Sequence, residues 1–257
     1  MANTTDTTIN STVEGTPDSS LVANPNSISP EVAAELSAKT PPWSCILFDL
    51  DGTITDSAPG IMARISQALE QVGQPKPSEA ELFAMIGPPL RDTFIHTLGM
   101  TPELADETLI IQRNIAAQLG PGSGSAVYPG VAGLIREVHA AGIPIGLATS
   151  KGELQAVEIL EHFDLTDCFT AIVGASLDET RSAKADVVEE ALIRLSAAGV
   201  DTSNPVMVGD RIFDINGAAA HGIPTIVVEW GYGSPEESTG ALSIVHSTDQ
   251  LRSRLIP

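Results

Sequence analysis

The chain predicts an α/β protein: a doubly wound, mostly parallel, Rossmann-like sheet into which an all-helical segment is inserted. Three observations carry this. From residue 128 onward, short apolar runs bounded by turn residues alternate with segments of helical periodicity, which implies right-handed crossovers between parallel strands. Between 58 and 126 the pattern is helical throughout, with no convincing strand. Several apolar runs end in acids or hydroxyls, at the edge where open sheets bind their ligands.

Residues 1–42 are rich in Thr, Ser, Asn and Pro and poor in large apolar residues. Such a segment cannot bury enough surface to offset its ordering entropy, so a disordered tail is expected. Weak helical periodicity over 30–39 is stopped by Pro41-Pro42. A buried strand follows at 45–50. Helical spacing of Ile61, Ile65, Ala68, Leu69 and Val72 predicts a helix over 57–72. Gln74-Pro75-Lys76-Pro77 breaks it, and Ser78 with Glu81 resembles a capping box opening the next helix. Helices are then expected over 91–98 and 102–119, and a Gly/Ser loop over 120–125. Beyond it, helices at 131–141, 153–163, 183–198 and 214–221 alternate with strands at 143–148, 171–174, 205–209 and 225–228. A last strand at 243–245 precedes a short C-terminal helix. The domain division is thus a tail (1–42), a core (43–57 and 128–257) and a helical cap (58–127) set over the end of the first strand, where it could close a site.

Composition narrows the partners. With 13 Lys+Arg against 33 Asp+Glu, the net charge is -20, which argues against nucleic acid or an anionic membrane surface as a partner. No run approaches membrane-spanning length, and the N-terminus lacks a signal pattern. The two cysteines, Cys45 and Cys168, form no metal-binding or redox motif and read as free thiols in a reducing, cytoplasmic setting. Oligomeric state is not legible.

Four stretches carry the chemistry. Ile46-Leu47-Phe48 runs into Asp49-Leu50-Asp51-Gly52-Thr53, two carboxylates one residue apart at a strand end. Asp51-Gly52 also reads as a plain turn, but an acid placed directly after Ile-Leu-Phe needs a cation or hydrogen-bond donors. The strand ending at Ala148 leads into Thr149-Ser150-Lys151-Gly152, where a hydroxyl could bind an anion or merely N-cap the next helix. Lys184 stands in a helix's first turn, against the dipole; it either snorkels to solvent or meets an anion there. Val206-Met207-Val208-Gly209 ends in Asp210 with Asp214 beyond, the former a turn residue or ligand, the latter an N-cap or ligand. An oxygen-only donor set of this kind suits Mg²⁺.

Together these stretches resemble the four motifs of the haloacid dehalogenase (HAD) superfamily over about residues 44–230. The segments Ile86-Gly87-Pro88-Pro89-Leu90, Tyr128-Pro129-Gly130-Val131 and Trp230-Gly231-Tyr232-Gly233 are similar to its phosphoglycolate phosphatase-like branch, and the helical insertion to its C1-type cap. The resemblance implies an Mg²⁺-dependent phosphomonoesterase. Asp49 would be the nucleophile and Asp51 the general acid and base. Gly52, Thr149, Ser150 and Lys184 would bind the phosphoryl group, and Asp49, the Asp51 carbonyl, Asp210 and Asp214 would hold the metal. Asp51 disfavours a dehalogenase, which has no leaving alcohol to protonate, and a lone cap lysine, Lys76, disfavours a phosphonatase. A β-phosphoglucomutase-like transferase shares the whole constellation, and a non-catalytic binding protein would have been expected to lose part of it. The substrate is expected to be a small phosphomonoester, phosphoglycolate first and a nucleoside monophosphate second. Of the cap arginines Arg64, Arg91 and Arg113, Arg91 is the first choice for a specificity residue.

Overall fold

The computed structural model describes residues 42–120, 122–178 and 180–256. All but the last residue of the expected tail, including its weak helical stretch, lies outside them.

In chain order, strand β1 (Cys45–Phe48) and the two-residue β2 (Thr55–Asp56) are followed by helices α1 (Ala58–Gln71), α2 (Glu79–Ala84), α3 (Leu90–His96) and α4 (Pro102–Leu119). Strand β3 (Ala126–Val127) leads to α5 (Val131–Ala140), β4 (Ile145–Gly152), α6 (Glu153–His162), β5 (Ala171–Ala175) and α7 (Lys184–Ala197). Then come β6 (Pro205–Gly209), α8 (Ile212–Ala219), β7 (Thr225–Val228), β8 (Ser243–Val245) and α9 (Thr248–Leu255).

The main sheet has the order β5-β4-β1-β6-β7-β8. Every neighbouring pair in it is parallel, with Ile46 opposite both Ile145 and Val206. Strand alternation sends Ile46 and Phe48 to one face, with Leu147, Val206 and Val208 under α5, α6 and α9, and Cys45 and Leu47 to the other, with Val173 and Met207 under α7 and α8. All four β1 side chains are buried, and burying each Ile, Leu or Phe contributes about 1.5–3 kcal/mol. The chain winds one way from β1 to β4 and β5, then reverses to β6, β7 and β8. The C-terminal end of β1 is therefore the switch point, where a crevice forms.

Helices α1 to α4 lie between β2 and β3 and share a third apolar cluster, with Ile61, Ile65, Leu69, Leu82, Phe94 and Leu109 inside it. The predicted capping box is present: Ser78 N donates to Glu81 Oε2 at 2.7 Å and Glu81 N to Ser78 Oγ at 3.3 Å.

Three expectations are corrected. The strand expected over 143–148 runs from Ile145 through Gly152, because pairing with β5 resumes beyond a register shift, with Gly152 opposite Ala175. Gly152, not Thr149 or Ser150, is consequently the N-cap of α6. Helix α8 begins at Ile212 and not at Asp214, which sits one position short of the end of its first turn. The two-residue β2 and β3 pair antiparallel, Thr55 opposite Val127; two residues carry no periodicity, so only the tertiary fold brings them together. Among the described residues no helix is long and apolar enough to cross a membrane.

Candidate active site

Strand β1 stops at Phe48, and the chain reverses within seven residues. Leu50 O accepts N–H bonds from Thr53, Ile54 and Thr55 at 3.3, 2.9 and 2.9 Å. Gly52 holds the turn at φ +90°, and a Cβ there would lie 2.2 Å from the Asp210 carboxylate. Its N–H is taken by Thr55 O at 2.8 Å. This amide is therefore spent inside the turn, and the glycine serves chiefly to let the Asp210 carboxylate approach. Asp49, at the last position before the turn, is 7% exposed.

Lys184 explains itself once the fold is seen. From the first residue of α7 its Nζ reaches Asp49 Oδ1 at 2.7 Å, Asp214 Oδ1 at 2.8 Å and the Ala148 carbonyl at 3.0 Å. It is 7% exposed, so the snorkelling alternative is excluded. Burial works against its charge, but the Asp214 and Asp49 carboxylates outweigh that and hold the ammonium above its ordinary range.

Asp210 follows β6 directly. Thr53 Oγ1 donates to its Oδ1 at 3.2 Å and Tyr232 N to its Oδ2 at 2.7 Å. Asp214, the third residue of α8, reaches back over the helix start, its Oδ2 accepting the N–H groups of Asp210 at 3.1 Å and Arg211 at 3.0 Å. Asp49, Asp210 and Asp214 each offer a carboxylate oxygen, all within 4.8 Å of one another and all buried. Three carboxylates against one lysine leave a net negative charge that burial alone does not tolerate. Burial first, with the Asp214 carboxylate adding to it, pushes Asp49 up to about 6 despite Lys184. Burial, then the Asp214 and Asp49 carboxylates, raise Asp210 well above the usual carboxylate range. A divalent, oxygen-loving cation fits this donor set and would relieve both.

Asp51 stands apart from that cluster. Its Oδ2 pairs with Lys151 Nζ at 2.9 Å, both side chains being mostly buried. Its Oδ1 is buried without a hydrogen-bond partner, as is the Ser150 hydroxyl. Thr149 is 1% exposed, with its Oγ1 accepting from Lys151 N at 3.3 Å. Asp49, Asp51, Thr149, Ser150 and Lys151 form the floor of a hollow of about 80 Å³. Ile61, Met85, Ile86, Leu90, Leu109 and Gln112 of the helical segment roof it.

The fold thus brings together Asp49, Asp51, Gly52, Thr149, Ser150, Lys184, Asp210 and Asp214. Arg91 is not among them: its Nε meets Asp106 Oδ1 at 2.6 Å, and it borders a different hollow with Leu177 and Ser182. The sequence reading passed over Lys151, although a cation directly after two strand-end hydroxyls was a signal in plain view. It also missed Arg211, which bridges the Ile86 carbonyl of the helical segment and Glu237.

Comparison with known proteins agrees with this geometry. Residues 46–228 match the model of the haloacid dehalogenase-like hydrolase family. Three curated relatives are similar. The tyrosine-protein kinase PtkA of Mycobacterium tuberculosis is 38% identical over 82% of this chain and 72% of its own. A 5'-nucleotidase of Pseudomonas aeruginosa is 35% identical over 75% and 85%, and a phosphoglycolate phosphatase of Rhodospirillum rubrum 32% identical over 77% and 85%. The crystal structure of a predicted phosphatase from Clostridium acetobutylicum superposes with a TM-score of 0.75 at 34% identity, over 82% of this chain and 97% of that one. The chain belongs to the haloacid dehalogenase-like hydrolases, and it is an enzyme of their phosphatase type.

Proposed function

We propose that the protein is an Mg²⁺-dependent phosphomonoesterase that works through an aspartyl-phosphate on Asp49 and acts on a small phosphorylated metabolite. The observation that carries this is the buried Lys184 ammonium, 2.7 Å from Asp49 and 2.8 Å from Asp214, beside a third buried carboxylate, Asp210, that Lys184 does not pair with. A carboxylate attacking a phosphate dianion faces like-charge repulsion, and Lys184 offsets part of it while fixing the orientation of Asp49. Asp49, Asp210 and the Asp51 carbonyl would hold Mg²⁺, which when bound supplies the remaining positive charge. Both oxygens of Asp214 already have protein partners, which favours a water between it and the ion. Asp51 hands a proton to the leaving alcohol and then takes one from the hydrolytic water. Thr149 and the unpartnered Ser150 hydroxyl receive phosphoryl oxygens. Residues 58–127 act as the cap, and the 80 Å³ hollow beneath them suits a small ester. Phosphoglycolate remains the first choice of substrate and a nucleoside monophosphate the second. Two buried free thiols accord with a cytoplasmic setting.

The test is phosphate release from a panel of phosphoglycolate, nucleoside monophosphates and hexose phosphates, with Mg²⁺ or chelator. Release that needs metal and falls at least ~1,000-fold in Asp49→Asn is expected, since no other group here can take the nucleophile's place. Metal-independent release, or full activity in the variant, would sink the mechanism. A second reading, transfer of the phosphoryl group to an acceptor other than water, is favoured by the 38% identity to a protein named as a tyrosine kinase. Following labelled phosphate from the phosphoenzyme to water, to a sugar phosphate or to protein separates the two.

A further inference from the structure

Beside the hollow over Asp49 lies a smaller one, of about 30 Å³, with Arg64, Ser123, Ser125, Lys151, Gln155 and Glu158 among its walls. Lys151 and Gln155 border both hollows, so the two are neighbours across a shared wall. Arg64 comes from α1 and is 7% exposed. A guanidinium has five N–H donors to satisfy, and burying it without partners is costly. Its Nη1 donates to the Ser123 carbonyl at 3.1 Å, but its Nε is buried with no hydrogen-bond partner. Burial opposes its charge, and the nearby Asp51 carboxylate supports it.

The surrounding backbone is built to admit this side chain. One turn earlier, a Cβ on Gly60 would stand 2.9 Å from Arg64 Nη1 and 2.8 Å from the Ser123 carbonyl. Gly124, at φ +69°, packs its backbone against Gly60, whose N–H donates to Gly124 O at 3.2 Å. The loop is thereby folded onto the guanidinium, which is held there by the Nη1 bond to the Ser123 carbonyl while its Nε stays without a partner among the described residues. Arg64 and Lys151 set two positive charges on this hollow, Lys151 while also pairing with Asp51 at 2.9 Å, and Glu158, the acid among its lining residues, is exposed. Arg91 borders neither of these hollows and lines a third, with Leu177 and Ser182.

We propose that this hollow is a second anion subsite, in which Arg64 and Lys151 receive a carboxylate or a second phosphate carried on the substrate whose phosphoryl group lies over Asp49. The proposal rests on the phosphomonoesterase reading of the site and names its substrate class: short esters with a second negative group, in preference to nucleoside monophosphates, whose base and sugar are uncharged.

The experiment compares matched esters that differ only in the second anion: phosphoglycolate against ethyl phosphate, and propanediol bisphosphate against propyl phosphate. Arg64→Met keeps the stem and removes the guanidinium. It is expected to lose at least ~10-fold more kcat/KM on the ester with the second anion than on its partner, chiefly through KM. The pair that shows the loss tells carboxylate from phosphate. Equal losses within both pairs would overturn the subsite and leave Arg64 as a loop tie. A calorimetric titration of phosphoglycolate and of propanediol bisphosphate, with Mg²⁺ present, into Asp49→Asn and Asp49→Asn/Arg64→Met protein reads binding without turnover. About tenfold weaker binding of one of them in the double variant is expected, a charged contact of ordinary strength, and equal affinity for both would overturn the subsite. Protein that hydrolyses none of the esters yet shows the affinity loss removes the phosphatase reading and keeps the subsite. Should Arg64→Met fail to fold, Arg64→Lys in the same titration keeps the charge and loses the planar fork; an unchanged affinity there, too, would count against the subsite.

Discussion

Lys184 is the residue on which the electrostatics of the site turn. It is the cation in contact with both Asp49 and Asp214. Removing one partner of a buried ion pair leaves uncompensated charge behind, at a cost of about 3–5 kcal/mol. Lys184→Met is therefore expected to be inactive and less stable by that amount in urea unfolding with chelator present, with Mg²⁺ restoring part of the loss. A variant as stable as the wild type would mean that the three carboxylates shed their charge without help. Asp210 predicts the reverse sign. A buried carboxyl whose pKa is raised in the native state favours the protonated native form. Its penalty is absent below the unfolded value of 3.8 and sets in as pH rises through the native one, which burial and the Asp214 and Asp49 carboxylates hold well above that. Asp210→Asn carries no charge; its single carbonyl oxygen can still accept from Tyr232 N, while its amide N–H can donate to the Thr53 hydroxyl oxygen. In metal-free protein it should melt a few degrees above wild type at neutral pH, with the gain shrinking toward pH 4, where the wild-type carboxyl is protonated. A melting point at or below that of the wild type at neutral pH would refute this.

At the scale of elements, the site depends on how β1 and its turn are tied to the helices that roof it. Tyr232 is one such tie: its hydroxyl accepts the N–H of Ser57 at 2.6 Å and of Ala58 at 3.0 Å, at the start of α1, while its own N–H holds Asp210 at 2.7 Å. Tyr232→Phe leaves the Asp210 bond intact, orphans the Ser57 N–H and leaves the Ala58 N–H only its 3.4 Å contact with Asp56 Oδ1. A loss of about 1–3 kcal/mol in denaturant unfolding is expected, as for a buried donor left unmade; a neutral change would show that other acceptors move in. Much of this layer was legible in the sequence. The alternation after residue 128 and the acids at the ends of β1 and β6 were local patterns, and local patterns survive into the fold. What was not legible was pairing across the chain. Two-residue β2 and β3 have no period, β4 is lengthened by a partner strand, and Lys151 meets Asp51 only because β1 and β4 are neighbours. Arg91 shows the opposite failure: a position after Gly-Pro-Pro-Leu suggested a ligand role, but Asp106, fifteen residues on, claims the side chain.

For the whole molecule the governing quantity is a net charge of -20. Self-repulsion at this level destabilises the compact state, and salt screens it with a Debye length of about 10 Å at 0.1 M. Surface ion pairs such as Arg252–Glu137, with side chains 40% and 28% exposed, respond in the opposite direction, but each contributes only about 0–1 kcal/mol. With 33 acids against 13 bases, repulsion wins. The urea midpoint at neutral pH is therefore expected to rise with NaCl at a constant m-value, which marks a change in stability and not in the extent of unfolding. A bound metal adds a contribution of a different kind. At matched ionic strength MgCl₂ should stabilise more than NaCl, by about 2.7 kcal/mol when the free ion stands at a hundred times its dissociation constant. General screening acts on every acid, whereas the site needs Asp210, so the excess should vanish in Asp210→Asn while the response to NaCl persists. An Mg²⁺ excess that survives in that variant would place the ion elsewhere on the acidic surface and would remove the metal from the chemistry at Asp49.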